Sequence, residues 1–144
     1  MTKSVTKVYV FPVPGREADV EELKRLIRAG GCSIVCANES IDAFEQCVGE
    51  ADVVVILICP ESANDKVAEQ VAELANKLGK RVVGVWASDV QAGKLPLSLH
   101  RHGDATVRLN AVELAVSVCQ GGTAWVTPDG NPRPKPKTPR HNKR

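Results

Sequence analysis

Apolar runs of strand length alternate along this chain with segments in which apolar residues recur at helical spacing. The predicted strands are Lys7–Val13, Ser33–Ala37, Asp52–Cys59, Arg81–Trp86 and Asp104–Val107. The Asp52–Cys59 run is apolar without alternation, which is typical of a strand covered on both faces. The pattern therefore predicts a parallel sheet of about five strands.

Helical periodicity fills the segments between these strands. The predicted helices are Glu17–Ala29, Ile41–Val48 ended by Gly49, a third helix that Asn64 or Asp65 caps and Gly79 ends, and Ala111–Cys119. Within the third helix the predicted core stripe is Val67, Val71, Leu74 and Leu78. Leu95–Leu99 is predicted to be a connector. Strands alternating with helices favour a single three-layer, doubly wound α/β domain of the flavodoxin-like kind.

Length and charge divide the chain into a domain and a tail. The 144 residues suit one domain, which we place at residues 1–127, followed by an extended tail at residues 128–144. From Asn131 onward the tail carries six Lys or Arg and no acid. Its alternation of Pro with Lys disfavours helix and central strand. Trp125 is predicted to attach the start of this tail to the domain.

Five cysteines occur without close CxxC spacing. Most lie in apolar patterns, so we expect small buried packing groups with reduced thiols. The N-terminus lacks the apolar segment of a signal peptide, and no apolar run reaches the length of a membrane span. These features predict a cytoplasmic protein without a membrane partner.

Ligands of open parallel sheets bind at the carboxyl ends of the strands, so the segments after each predicted strand carry the candidate binding residues. These residues are Pro14, Gly15, Arg16, Asn38, Pro60, Ser62 and Asp65. Gly15 can bring backbone N–H groups to a phosphate, and Arg16 can pair with its charge. The alternative is a turn glycine followed by a solvated arginine. The loop PVPGRE is neither a GxGxxG fingerprint nor a Walker A loop, which argues against a common dehydrogenase or P-loop NTPase.

A longer stretch resembles a known group of proteins. After the first strand, helix and second strand come IDAFEQCVGEADVVVILICPES, a Glu-bearing helix and LGKRVVGVW. This order, over Lys7 to Asp89, is similar to the nucleoside 2-deoxyribosyltransferases and the Toll/interleukin receptor (TIR) domains. The resemblance implies a nucleotide or NAD ligand and cleavage or exchange of an N-glycosidic bond. It also implies that bacterial defence is a conceivable setting.

The resemblance further implies a catalytic glutamate on the helix before Gly79. Glu69 lies ten residues before Gly79 and Glu73 six, and neither falls at the spacing that the resemblance implies. Glu69 is preferred because it lies closer to the strand ends, with Glu73 as the alternative. A carboxylate there can stabilise an oxocarbenium-like transition state or attack the ribosyl carbon. The competing interpretation is a solvated helix face.

Two departures from these families favour a second hypothesis. Ser62-Ala63-Asn64-Asp65 stands where the transferases have Asp-x-Gly-Thr, and the Trp that precedes the glutamate in many TIR domains is missing. The alternative is therefore a non-catalytic module that senses a nucleotide or binds a protein partner, including another copy of itself. His100 and His102 are expected in a solvated loop, and the residues predict neither a metal site nor a cofactor. The basic tail could contact nucleic acid weakly through charge.

Overall fold

A five-stranded sheet forms the centre of the molecule. Its strands are β1 (Lys7–Val10), β2 (Ser33–Ile34), β3 (Val53–Ile58), β4 (Arg81–Trp86) and β5 (Ala105–Arg108). The strand order is β2-β1-β3-β4-β5, and every pairing is parallel. The structure is a computed structural model that describes residues 5–36, 44–63, 65–87 and 97–128. Asn38 and the tail beyond Pro128 lie outside the described residues.

Helices cover both faces of the sheet. They are α1 (Glu17–Ala29), α2 (Phe44–Glu50), α3 (Pro60–Ala63), α4 (Lys66–Lys77), α5 (Leu97–His102) and α6 (Ala111–Leu114), which continues as a π-helical turn over Ala115–Cys119. Helix α1 packs beside α6 and the π turn, whereas α2 and α5 flank α4. Right-handed crossovers in this strand order place these two groups on opposite faces. The predicted three-layer α/β fold is confirmed.

The core is aliphatic, as the low aromatic content requires. Every residue of β3 is buried, which matches its unbroken apolar sequence. In β4 the backbone of Gly84 lies so close to Leu99 and Ile58 that a Cβ there would come within 3.0 Å of both side chains. The missing side chain of Gly84 therefore leaves room for Leu99 of α5 to pack against the sheet.

Several predicted boundaries and roles differ from the structure. Strand β1 ends at Val10 and β2 at Ile34, earlier than predicted, while α2 continues through Gly49 to Glu50. The predicted start of α2 at Ile41 lies outside the described residues. The predictions of a connector at Leu95–Leu99 and of a loop at His100 and His102 were wrong in part. Residues 97–102 form α5, and Leu99 is fully buried in it.

The predicted core stripe of α4 was also wrong in part. The buried residues are Ala68, Val71, Ala72 and Ala75, whereas Leu78 is exposed. Small side chains allow the helix to lie close to the sheet, so the alanine face packs inward. Val112 in α6 is likewise exposed.

Four of the five cysteines form disulfides, contrary to the prediction of reduced thiols. Cys32 at the start of β2 is bonded to Cys119 at the end of the π turn, and Cys36 is bonded to Cys47 in α2. Cys59 is a free thiol and is buried. Sequence spacing misses these bonds because the fold brings the partners together from different elements.

The end of the described chain pairs with the edge of the sheet. Trp125 forms a parallel bridge with Thr106. The Thr106 N–H donates to Ala124 O at 2.9 Å, and the Trp86 indole N–H donates to Val126 O at 2.8 Å. The chain is thus attached near Trp125, as predicted. None of the described helices has the length and apolar content needed to cross a membrane.

Candidate functional site

The strand order determines where a ligand would enter this sheet. In the order β2-β1-β3-β4-β5 the chain leaves β1 toward one edge and later proceeds from β3 toward the other. Crevices form outside the carboxyl ends of the strands at such a reversal. The candidate site therefore lies between the loop after β1, residues 11–16, and the turn after β3, residues 59–65.

Gly15 in the first loop has a left-handed backbone, with φ of 86°. Its N–H donates to Glu17 Oε2 at 3.1 Å. Hydrogen bonds from the backbone N–H groups of Glu17 itself and of Gly15 hold the pKa of the Glu17 carboxyl below its usual range. The amide predicted to meet a phosphate thus already has a carboxylate partner, and Pro14 beside it is exposed.

Arg16 connects the two loops. Its side chain is only 14% exposed, and its Nε lies 2.8 Å from Glu61 Oε1. A terminal nitrogen of the same guanidinium lies 3.0 Å from Asp19 Oδ2. The charge of Arg16 is therefore fixed at the point where the strand order reverses, between carboxylates from α1 and from the turn after β3.

Glu61 is a candidate residue that the sequence-based selection missed. Its side chain is 41% exposed, and a Cβ added to Gly15 would lie 3.7 Å from its Cγ. The hydrogen bond from Arg16 lowers the pKa of the Glu61 carboxyl, so it remains ionised at neutral pH. The signal in the sequence was its position between Pro60 and Ser62, which were both predicted to bind a ligand.

Ser62 has a structural role in the turn after β3. The residue is buried, and its hydroxyl donates to Leu57 O at 2.6 Å while accepting from the Cys59 N–H at 3.2 Å. The Cys59 Sγ lies 3.5 Å from the same oxygen. The hydroxyl thus closes the turn inside the protein, and Pro60 at the start of the turn is exposed.

Asp65 caps α4, as predicted for one of two residues. Its Oδ1 accepts hydrogen bonds from the N–H groups of Val67 at 2.8 Å and Ala68 at 3.2 Å. This satisfies two of the amides that a helix start leaves without backbone partners. Asn64, the other predicted cap, lies outside the described residues.

The two candidate catalytic glutamates lie on α4. Glu69 is in its first turn, and its Oε2 lies 3.3 Å from a guanidinium nitrogen of Arg101 on α5. Glu73 is exposed one turn later. Among the described residues, contacts therefore join Gly15, Arg16 and Glu61, whereas Glu69 is attached to the neighbouring helix.

The charge at this edge is mainly negative. Glu17, Asp19, Glu61 and Asp65 all lie in the segments that form this edge, and the carboxylates of Asp19 and Glu61 contact the guanidinium of Arg16. An anionic ligand must compete with Glu61 or Asp19 for Arg16. Within the described ranges, no three His, Cys, Asp or Glu side chains are grouped to hold a metal ion.

No protein-family model matches the chain, and no curated protein matches it with significant similarity. Functional interpretation therefore rests on the topology and on the contacts at the carboxyl edge.

Proposed function

We propose that the chain binds a nucleotide or an NAD-type small molecule at the carboxyl edge between β1 and β3. The observation that carries the proposal is Arg16, a partly buried cation positioned at the reversal of strand order. Guanidinium groups bind phosphates through paired, charge-assisted hydrogen bonds. The N-terminus of α1, which begins directly after Arg16, adds a favourable dipole for an anion.

Binding would proceed by exchange of partners. A phosphate oxygen takes the place of the Glu61 carboxylate at Arg16, and Glu61 turns toward solvent or toward a ribose hydroxyl. Because Glu61 is a competing anion, it weakens phosphate binding in this scheme. Removing its charge should therefore strengthen the affinity for phosphate-bearing ligands and leave that for unphosphorylated nucleosides unchanged.

Binding without turnover is the form of the proposal that the contacts favour. Ser62 and Asp65 use their polar atoms within the turn and the helix cap. Glu69 is paired with Arg101 of α5. The implied setting in bacterial defence, a protein partner and a contact of the tail with nucleic acid stay predictions.

Cleavage or exchange of an N-glycosidic bond is the second candidate function. The observation that favours it is the ionised carboxylate of Glu61 at the candidate ligand edge. Such a group can stabilise positive charge on a ribosyl ring. Incubation with NAD and with nucleosides should then release nicotinamide or free base. The matched variants Glu61→Gln, Glu69→Gln and Glu73→Gln would identify the carboxylate responsible, and no release by the wild type would contradict this candidate.

The binding proposal is tested by calorimetric titration with NAD, AMP and adenosine. Arg16→Ala should weaken NAD and AMP binding roughly tenfold to a hundredfold, the usual effect of losing a charge-assisted hydrogen bond. Glu61→Gln should strengthen AMP binding. Arg101→Ala is the matched control, because it also removes an arginine paired with a glutamate. Absence of saturable binding of both NAD and AMP would refute the proposal.

A further inference from the structure

A concavity of about 290 Å³ lies beside the first turns of α1. One wall is the loop segment 12–14, and the other is formed by Glu17, Val20, Glu21 and Lys24 of α1. Because these four residues follow helical spacing, they share one face of the helix. Asp19, which holds Arg16, lies on a different face. The concavity therefore adjoins the crevice between β1 and β3 through residues 12–14 and Glu17, but its lining includes neither Arg16 nor Glu61.

Apolar groups and two opposite charges line this concavity. Val13 and Val20 are buried, and the prolines of the loop add further apolar surface. The Lys24 residue is only 6% exposed, and its Nζ lies 3.4 Å from Glu21 Oε2. Lysines are almost never buried to this extent without a charged partner. An ammonium group is thus held beside an apolar wall, next to carboxylates.

The carboxylates lie toward the opening of the concavity. The Glu21 side chain is 70% exposed, and the Glu17 carboxylate, which accepts from the Gly15 N–H, belongs to an exposed residue. A carboxylate has about four acceptor positions, so the bond to Gly15 is compatible with a further donor. The lining therefore offers a cation and anions within a single small volume.

We infer that the concavity binds a small zwitterion with an apolar side chain, such as a free hydrophobic amino acid. The ligand carboxylate pairs with the Lys24 ammonium, and the ligand ammonium pairs with Glu21 and Glu17. The apolar side chain packs against Val20 and the loop prolines. This assignment goes beyond the nucleotide site, because it concerns another face of α1 and a different class of ligand.

The charges of the lining disfavour the simpler ligands. A dianion such as a phosphate ester would meet two carboxylates beside one ammonium, and a simple cation would meet the ammonium of Lys24. A zwitterion places each of its charges next to an opposite one. Ligand pockets for drug-sized molecules begin at about 300 Å³. The present volume accordingly suits a molecule of amino-acid size.

Calorimetric titration of the full chain with L-leucine and two analogues tests this inference. L-Leucinamide lacks the carboxylate and 4-methylpentanoate lacks the ammonium, while both keep the apolar group. We expect saturable binding of L-leucine or L-phenylalanine, with the two leucine analogues at least tenfold weaker than leucine. No saturable binding of either amino acid, or equal binding of leucinamide and leucine, would overturn the inference.

Three variants locate the ligand. Lys24→Met keeps the aliphatic stem and should weaken the binding of leucine at least tenfold. The control Lys77→Met, at an exposed lysine of α4, should leave leucine binding unchanged. Val20→Phe fills the concavity without changing a charge and should abolish binding. Glu21→Gln, at an exposed site, should weaken leucine binding because the ligand ammonium loses a partner, and it should not weaken 4-methylpentanoate binding, because that ligand only competes with Glu21 for Lys24. Leucine binding that none of the three changes would overturn the assignment, and unaltered NAD affinity in Lys24→Met would separate this site from the nucleotide site.

Discussion

Tyr9, the single tyrosine of the chain, lies buried in β1. Burial raises the pKa of its phenol from 10.0 to about 12. The unfolded chain releases this proton at a lower pH than the folded protein does. The contribution of Tyr9 to stability is therefore complete below pH 10 and declines as the pH rises toward about 12.

The measurement is a titration of phenolate absorbance in the folded and the denatured protein. We expect the folded midpoint near the higher value and a denatured midpoint near that of free tyrosine. Tyr9→Phe should flatten the loss of stability in the same alkaline range. Equal midpoints in the two states would contradict the burial argument.

Gly84 of β4 lies where the core leaves no room for a side chain. A methyl group there would lie 2.6 Å from Leu99 Cδ1 and 2.9 Å from Ile58 Cδ1. Gly84→Ala should therefore lower the free energy of unfolding by about 1–3 kcal/mol, as overpacked cores do. Gly49→Ala is the matched control, since its Cβ meets nothing within 4 Å and the site is helical. Urea unfolding should show the control unchanged or slightly more stable.

At the scale of elements, α4 depends on Asp65, the capping residue directly before it. The Asp65 carboxylate accepts from two amides of the first turn, so Asp65→Ala should destabilise the protein by about 0.5–2 kcal/mol. Asp65→Asn retains a capping oxygen and should lose much less. Thermal unfolding of the two variants measures the difference. Equal losses would indicate that the charge of Asp65, and not its capping oxygen, is what matters.

Helix α5 illustrates an element that local sequence did not reveal. Its six residues, LSLHRH, are too few to show a helical period. The reason for the helix lies elsewhere in the chain, because Leu99 fills the space above Gly84 of β4. The longer elements were predictable in type, whereas their ends shifted by up to a few residues where neighbouring strands stop pairing.

For the whole molecule, the disulfides are the feature that most changes the sequence-based interpretation. A chain purified without reductant and then denatured should show one reactive thiol, from Cys59, and five after reduction. The Cys59→Ala variant, denatured without reductant, should show no reactive thiol. Five thiols without reductant would instead restore the prediction of reduced cysteines.

Loss of the two disulfides should lower the stability of the protein by different amounts. The Cys32–Cys119 bond spans 87 residues and the Cys36–Cys47 bond 11, and longer closed loops restrict the unfolded chain more. Replacing the first pair with alanine should therefore destabilise the protein more than replacing the second. Both losses belong in the range of about 2–5 kcal/mol that native disulfides commonly contribute.

The sequence predicted where the candidate site lies, but not which contacts its side chains make. The positions after β1 and β3 follow from strand ends in the sequence, and the residues predicted there on that basis were Pro14, Gly15, Arg16, Pro60, Ser62 and Asp65. Which side chains point toward the edge depends on turns that sequence does not specify. Ser62 turns inward to Leu57 O, whereas Glu61 turns outward to Arg16.

The sequence by itself determined the class of fold. The spacing of apolar residues and the residues that begin and end helices are local properties, so each segment shows them without its neighbours. It also limited the cap of α4 to Asn64 or Asp65 and predicted the two-sided burial of β3. Only the tertiary structure decided the strand order, the disulfide partners, the pairing of Glu69 with Arg101 and the concavity beside Lys24. Each of these depends on contacts between segments far apart in the chain, and such contacts follow from packing the elements together.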